Sequence, residues 1–249
     1  MRTFLAFDLW SDFAFFRRGY TTTSPLTYPF PPRTVLSGLI ASILGLDWDA
    51  YYSTIETIFS KQSSLFAVQL LNPVKTIRIT QNIIDTKTGY YLWDNVKKQQ
   101  QPRTQIPFEY LKDPKYRIFT WFDKKSRLLN GKQVYDELRE MLSSHKSVYT
   151  PYLGISECIA EFRFIGEFQA DEKTVDDRIA VLSVLPKGPY EVIWEQGKKY
   201  GLIKMPGFMR SDRTVNEFIE FTYEKEGKPI NIRGGRCYVI QGYGAIVPF

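Results

Sequence analysis

Pro31-Pro32-Arg33-Thr34 opens the run Val35-Leu36-Ser37-Gly38-Leu39-Ile40-Ala41-Ser42-Ile43-Leu44-Gly45. Its apolar residues recur at helical spacing, with small ones between them. Proline suits a helix start, because its missing N–H would have had no partner there. Thr34 is the expected N-cap, and the run ends near Gly45. The small residues allow close packing, so a helix over 34–45 is expected to lie on a sheet. Its first turn carries unpaired amides and a partial positive charge, and Arg33 adds a full one, a combination that suits a phosphate.

The neighbouring segments supply the sheet. Residues 3–10 (TFLAFDLW) read as a strand, as do Leu65–Leu71, Tyr116–Phe122 and 158–168. Residues 132–144 read as a second helix, with Val134, Leu138, Met141 and Leu142 on one side. The order is β-α-β-β-α-β, which predicts an α+β fold with a ferredoxin-like (RRM-like) domain over 1–177. Sheets of this kind can bind single-stranded RNA.

An insertion of about forty residues, roughly 75–115, separates the second and third strands; loops this long are usually functional or disordered. It contains Ile77-Arg78-Ile79-Thr80, a turn at Lys87-Thr88-Gly89, and Lys97-Lys98-Gln99-Gln100-Gln101-Pro102-Arg103. Beyond residue 178, short strand-like runs (Ile179–Leu185, Glu191–Trp194, Leu202–Met205, Asn216–Tyr223, Cys237–Ile240) with Gly/Pro punctuation predict a small β-rich C-terminal domain, 178–249.

Charge narrows the function. The net charge of +6 permits a nucleic-acid partner without demanding one. From Lys75 to Arg127 there are twelve Lys/Arg against five Asp/Glu, whereas residues 128–200 have nine against twelve. The basic excess is therefore central. Cys158 and Cys237 are too far apart in sequence for a metal-spaced pair or a disulfide framework, and the acid pairs Asp47/Asp49 and Asp176/Asp177 read as solvated, so no metal or cofactor is expected. No signal peptide and no run long enough to cross a bilayer is seen, so a cytoplasmic, membrane-free protein is expected.

The candidate RNA contacts follow from chemistry. Arg17, Arg18 and Arg33 flank one loop with Tyr20 and Tyr28; arginine binds phosphate bidentately and tyrosine stacks on unpaired bases. The two tyrosines equally suit a role covering the first helix. Arg78, Lys97, Lys98 and Arg103 belong to the insertion, where solvated charge is the plain alternative. Gly234-Gly235-Arg236 and Gly242-Tyr243-Gly244 match no Walker or Rossmann spacing and read as tight turns, though Arg233 and Arg236 are kept as RNA candidates. His145 is the single histidine. It suits either a helix C-terminus or acid–base chemistry beside Lys146 and Tyr149.

FAFFRR…SPLTYPFPPRT..GLI.SILGL over Phe13–Leu46 resembles the Cas five subunits of CRISPR type I surveillance complexes, most like the type I-B branch. Arg103-Thr104-Gln105-Ile106-Pro107 with Lys115-Tyr116-Arg117, and Tyr149-Thr150-Pro151-Tyr152-Leu153-Gly154-Ile155-Ser156, fit the same family. The resemblance covers the first two-thirds of the chain. It implies that the insertion is a β-hairpin "thumb", and that Thr34, Gln105 and Tyr149 join the RNA contacts. It also implies a non-catalytic subunit capping the 5′ handle of the guide RNA (crRNA). Its partners would be a Cas seven backbone subunit, a Cas eight large subunit and, within the complex, target DNA. Subtype I-C relatives imply the alternative, a metal-independent endoribonuclease using Tyr149, Lys146 and His145.

Overall fold

The computed structural model describes residues 1–21, 23–46, 56–84, 103–210, 212 and 214–249. Its strands are β1 (Arg2–Trp10), β2 (Phe13–Ala14), β3 (Ser64–Leu70), β4 (Thr76–Ile84), β5 (Arg103–Lys112), β6 (Lys115–Phe122), β7 (Glu161–Thr174), β8 (Ile179–Val181), β9 (Leu185–Pro186), β10 (Glu191–Ile193), β11 (Tyr200–Met209), β12 (Val215–Glu224), β13 (Ile230–Arg233), β14 (Arg236–Ile240) and β15 (Gly244–Ile246). Helices α1 (Arg33–Leu44) and α2 (Val134–Ser143) lie between them. The fold is thus mixed α+β and strand-rich.

β1 is buried on both faces. Leu5, Phe7 and Leu9 join the cluster that holds Leu36, Leu39 and Ile40 of α1 and Val134, Leu138 and Leu142 of α2. Phe4 and Ala6 join a second cluster on the other face, with Phe119, Tyr238 and Ile240. A strand covered on both sides reads as a nearly continuous apolar run, which is how TFLAFDLW reads. β1 pairs antiparallel with β6 and β7, and β6 pairs antiparallel with β3. These four strands therefore lie side by side as β7-β1-β6-β3.

α1 starts one residue before the expected position. Pro32 is its N-cap, and the Pro32 carbonyl accepts from the Val35 and Leu36 amides, both at 3.0 Å. Thr34 lies inside the first turn and caps nothing, because proline already supplies the extended cap conformation. The helix ends as expected at Gly45, whose φ of 70° is left-handed. The Leu46 amide then reaches back to the Ala41 carbonyl at 2.9 Å. A side chain on Gly45 would come within 2.7 Å of Val148, so glycine serves here for both conformation and space.

β4 and β5 pair antiparallel from Thr76↔Leu111 to Ile84↔Arg103 and, with β2, form a separate sheet in the order β2-β5-β4. The C-terminal part is β-rich as expected, and Val181, Leu185, Ile230, Ile232, Cys237, Ala245 and Val247 form a cluster there with Val175, but its strands share a sheet with the N-terminal ones. β7 is 14 residues long and serves two partners: its first part pairs with β1, and Ala170–Thr174 pair with β14. The pairing slips between Ala6 and Phe7, leaving Ile165 without a partner. Such a bulge bends a strand. Through β14 the sheet continues to nine strands, β10-β13-β8-β15-β14-β7-β1-β6-β3. Val184, Met205, Phe221 and Tyr223 complete the cluster around α1, and the backbone of Phe249 pairs both ways with Phe66 on β3, at 3.1 and 2.8 Å. The expected boundary at 177/178 is thus crossed by both sheet and core. Among the described residues no helix is long and apolar enough to cross a membrane.

Candidate nucleic-acid interface

The loop that follows β2 is stapled at its base. The Arg18 amide donates to the Leu26 carbonyl (2.9 Å) and the Tyr28 amide to the Phe16 carbonyl (2.8 Å). Arg18 braces the turn from inside, with Nε donating to the Thr27 carbonyl at 2.8 Å and a second nitrogen reaching the Tyr20 hydroxyl at 3.3 Å. Tyr20 is 68% exposed and Arg17 is exposed, with one long bond to the Thr21 carbonyl. Tyr28 behaves differently. It is buried beneath Arg18, and burial pushes its hydroxyl pKa up. It covers the core, so the expectation that it stacks on RNA is corrected. A ring with no open face cannot receive a base.

This loop is docked on β5. The Glu109 amide donates to the Pro25 carbonyl at 3.0 Å, and its carboxylate accepts from the Thr27 amide at 3.3 Å. The register places Glu109 opposite Arg78, Gln105 opposite Asn82 and Arg103 opposite Ile84. Side chains alternate along a strand, so Arg78, Asn82, Arg103 and Gln105 stand on the face that Glu109 shares. The other face carries Ile79, Phe108 and Tyr110, which reach the core. Arg78, Arg103 and Gln105 thereby share one polar face of the hairpin, and the loop bearing Arg17, Arg18 and Tyr20 docks at its Glu109 end. Lys97 and Lys98 lie outside the described residues.

Arg33 is not in that surface. It is 1% exposed, and its guanidinium is spent on the interior. One nitrogen donates to the main-chain oxygen of Phe249; the other donates to Ser64 Oγ (2.8 Å) and to the carbonyls of Ser64 (2.9 Å), Phe59 (3.2 Å) and Ser60 (3.3 Å). The rings of Phe66 and Phe208 lie 4.6 Å from its carbon. Burial pushes its pKa down to about 9, which still leaves it protonated at neutral pH. The reading of Arg33 as a phosphate contact is therefore corrected: at the first helical position its long side chain turns inward, where buried carbonyls need donors. Thr34 is half-buried and lines a cleft at the same helix end.

His145 follows the Ser144 C-cap of α2 with φ 53°, the left-handed conformation that Gly45 adopts after α1. Its amide donates to the Leu142 carbonyl (3.2 Å) and that of Lys146 to the Met141 carbonyl (2.9 Å), the paired bonds of a Schellman motif. The exposed imidazole rests on Phe162, 4.8 Å between ring centres, and 3.9 Å from a Glu161 oxygen. Tyr149 donates its amide to the Ser42 carbonyl at 3.0 Å, and Val148 donates to Ile43. Tyr149 and Tyr152, both half-exposed, line a groove of about 480 Å³ along Val35, Gly38 and Leu39 of α1. Arg233 ends β13, toward the far end of the large sheet, and Arg236 is exposed beside Glu172 at 3.4 Å. Neither joins the loop–hairpin surface. Among the described residues no cluster of three or more His, Cys, Asp or Glu is placed to hold a metal.

One polar row escaped the sequence reading. Gln69, Arg117, Asp8 and Arg163 lie abreast on β3, β6, β1 and β7. Arg117 grips the buried Asp8 carboxylate with two bonds (2.6 and 3.0 Å) and donates to the Tyr243 hydroxyl (2.7 Å). Arg163 remains largely exposed. Lys115 lies over Trp10 two positions from the row, and Arg2 over Trp121 at the other end of β1. The available signal was a basic residue at alternate positions of an otherwise apolar strand, Lys115 and Arg117.

Comparison with known proteins bears on this arrangement. No curated protein matches the chain. Among solved structures, a CRISPR protein from Archaeoglobus fulgidus shares the fold at 16% identity, covering 98% of both chains, with a TM-score of 0.55. A chain of a CRISPR RNA-guided surveillance complex aligns over 91% of each chain at 12% identity and a TM-score of 0.54. A chain of a type III-B Cmr-beta complex bound to cognate target RNA aligns over 92% of this chain and 86% of that one, at 10% identity and a TM-score of 0.50. The family model described as "CRISPR-associated protein (Cas_Cas5)" matches residues 4–222, and the chain therefore belongs to the CRISPR-associated Cas5 family.

Proposed function

We propose that this protein is a non-catalytic, RNA-binding subunit of a type I CRISPR surveillance complex, of the I-B branch, which caps the 5′ handle of the guide RNA. The observation that carries the reading is the docking of the loop bearing Arg17, Arg18 and Tyr20 onto the hairpin strand whose polar face holds Arg78, Arg103 and Gln105. Exposed arginines supply phosphate contacts and Tyr20 a stacking surface. The β7-β1-β6-β3 strand order supports a ferredoxin-like unit. The β4–β5 pair, standing in its own sheet, is suited to act as the thumb between handle and guide and to touch a Cas seven neighbour, with a Cas eight large subunit as a further partner.

Turnover by Tyr149, Lys146 and His145 is the less supported reading. His145 is explained by its cap and by its contact with Phe162, and its nearest carboxylate is at the edge of ion-pair distance. The deciding experiment measures affinity for handle RNA and for a scrambled RNA across a salt series. The handle is expected to bind more tightly at every salt, with both affinities falling as salt rises, because neutralised phosphates release counterions. Equal affinity for the two RNAs throughout rules out handle capping.

A further inference from the structure

β11 and β12 lose their alternation at one place. Pro206 pairs with Phe218, Phe208 with Glu217 and Met209 with Val215, so Gly207 and Asn216 are each left unpaired. A Cβ on Gly207 would come within 2.6 Å of the Ile219 side chain, which would have to shift to admit it. Bulges re-aim side chains, and this one turns Phe208 into a cleft of about 490 Å³ between the start of α1, residues 56–62 and the ends of β11 and β12.

Two cations share the Phe208 ring. Arg33, wholly buried, lies 4.6 Å from its centre, and Lys61 Nζ lies 5.1 Å from it. Arg33 is fixed by its carbonyl partners. Lys61 is held by Glu217 at 2.6 Å, with half of the Lys61 side chain exposed, and an exposed pair of this kind is weak. Lys61 is thus the cover that can leave. The cleft is also lined by Asn216 and Arg210, by Ser37, whose hydroxyl donates to the Arg33 carbonyl at 3.0 Å, and by the carboxylates Glu56 and Glu217. An aromatic floor, an amide-bearing wall and the cations Lys61 and Arg210 match the three parts of a nucleotide: base face, base edge and phosphate.

We propose that Phe208 is a stacking platform for one unpaired nucleobase, with Asn216 at the base edge and Lys61 and Arg210 taking the adjoining phosphate. The inference deepens the RNA-binding reading and rests on it. The loop–hairpin surface holds the strand, and the Phe208 cleft takes a single extruded base. A free mononucleotide offers the same chemistry as a base within a strand, so both are tested.

The experiment titrates the full chain with octaribonucleotides carrying 2-aminopurine at each position in turn, and separately with 2-aminopurine riboside 5′-monophosphate. Quenching is expected at one position. Phe208→Leu is expected to abolish it and to weaken the oligonucleotide at least about fivefold, the lower end for loss of one base–aromatic stack; Phe208→Tyr should stay within about twofold of wild type, as its ring presents the same face. Should Phe208→Leu misfold, Asn216→Ala, at an exposed position, provides the second variant, with the expected outcome a shallower quench at the same position. RNA that binds with no quenching at any position, or with quenching and affinity unchanged in Phe208→Leu and Asn216→Ala, overturns the cleft and leaves the RNA-binding reading standing. A chain that binds no RNA at any salt overturns that reading; a free 2-aminopurine nucleotide quenched in wild type and not in Phe208→Leu would then keep the cleft as a free-nucleotide site.

Discussion

Arg33 and His145 are the two residues at which chemical type alone points one way and surroundings the other. An arginine beside a helix start suggests an anion, yet Arg33 satisfies buried carbonyls of Phe59, Ser60 and Ser64 instead. Arg33→Ala should therefore unfold easily: breaking a buried, hydrogen-bonded charge site costs about 3–5 kcal/mol, read as a lower denaturant midpoint. Arg33→Lys should recover little, because an ammonium cannot reproduce a planar fork aimed at carbonyls in several directions. A wild-type midpoint for Arg33→Ala, with weakened RNA binding, would restore the phosphate role. His145 was legible as a helix end but not as a left-handed residue, since glycine is the usual choice there. Left-handed backbone costs a non-glycine residue about 1–2 kcal/mol, which the Phe162 contact partly offsets. His145→Gly should thus change stability by less than about 1 kcal/mol, whereas β-branched His145→Val, which lacks the ring contact, should lose more. Both should bind handle RNA as wild type does, and isolated protein should leave repeat RNA uncut; cutting that disappears in His145→Gly would favour the ribonuclease reading.

At the scale of elements, the strands that were legible are those with strong local patterns: β1, β3, β6 and the start of β7 sit within a few residues of their expected positions. β2 and β15, of two and three residues, leave no periodic signal. The hairpin was legible as an insertion; its register was not, because Ile77, Ile79, Ile83 and Ile84 do not alternate cleanly with polar residues. In the structure Ile83 and Ile84 are more than one-third exposed at the outer end of the pair. Joining Ile84 to Arg103 by Asn-Gly in place of 85–102 suits a two-residue hairpin turn. It should leave the melting temperature nearly unchanged and sharply reduce co-assembly with the guide RNA and the Cas seven subunit. Full assembly by the trimmed chain would remove the thumb role. The segment before β11 is pinned otherwise. Glu195 accepts from Lys198 and Asn231 and pairs with Arg178 at 2.6 Å; the Lys198 and Asn231 bonds hold its pKa down to about 2. A depressed carboxylate stabilises the fold above its unfolded pKa, near 4.5, and that contribution is lost as pH falls through about 2. The melting-temperature gap between wild type and Glu195→Gln should be widest above pH 4.5 and close towards pH 2; a gap that ignores pH would mean the pair contributes only shape.

For the whole molecule, the pattern points to two domains, and in the structure the largest of three sheets runs across the expected boundary. The reason is physical. Strand continuity across residue 177 depends on a β7 bulge and on pairing between Ala170–Thr174 and β14, more than sixty residues apart in sequence, and neither leaves a local mark. The C-terminal residues close the structure at two places. Met205, Phe221 and Tyr223 fill the cluster beneath α1, with Phe30 packed edge-on to both Phe221 and Tyr223. Phe249 and Val184 occupy the backbone edge of β3, which otherwise would present unpaired amides and carbonyls. Ser64 and Phe59, partners of Arg33, sit in the same region, so the buried guanidinium also depends on residues 208 and 249. A chain ending at residue 177 would expose this aromatic surface and the β3 edge, and would leave Arg33 without the Phe249 oxygen and the Phe208 ring. It should fail to give a cooperative melt and should bind the dye ANS, as loosely packed states do. Co-expression with a 178–249 fragment should restore a single transition, because the two pieces share one core. A soluble 1–177 fragment with its own sharp melt would instead mean that the nine-stranded sheet joins two separately stable halves.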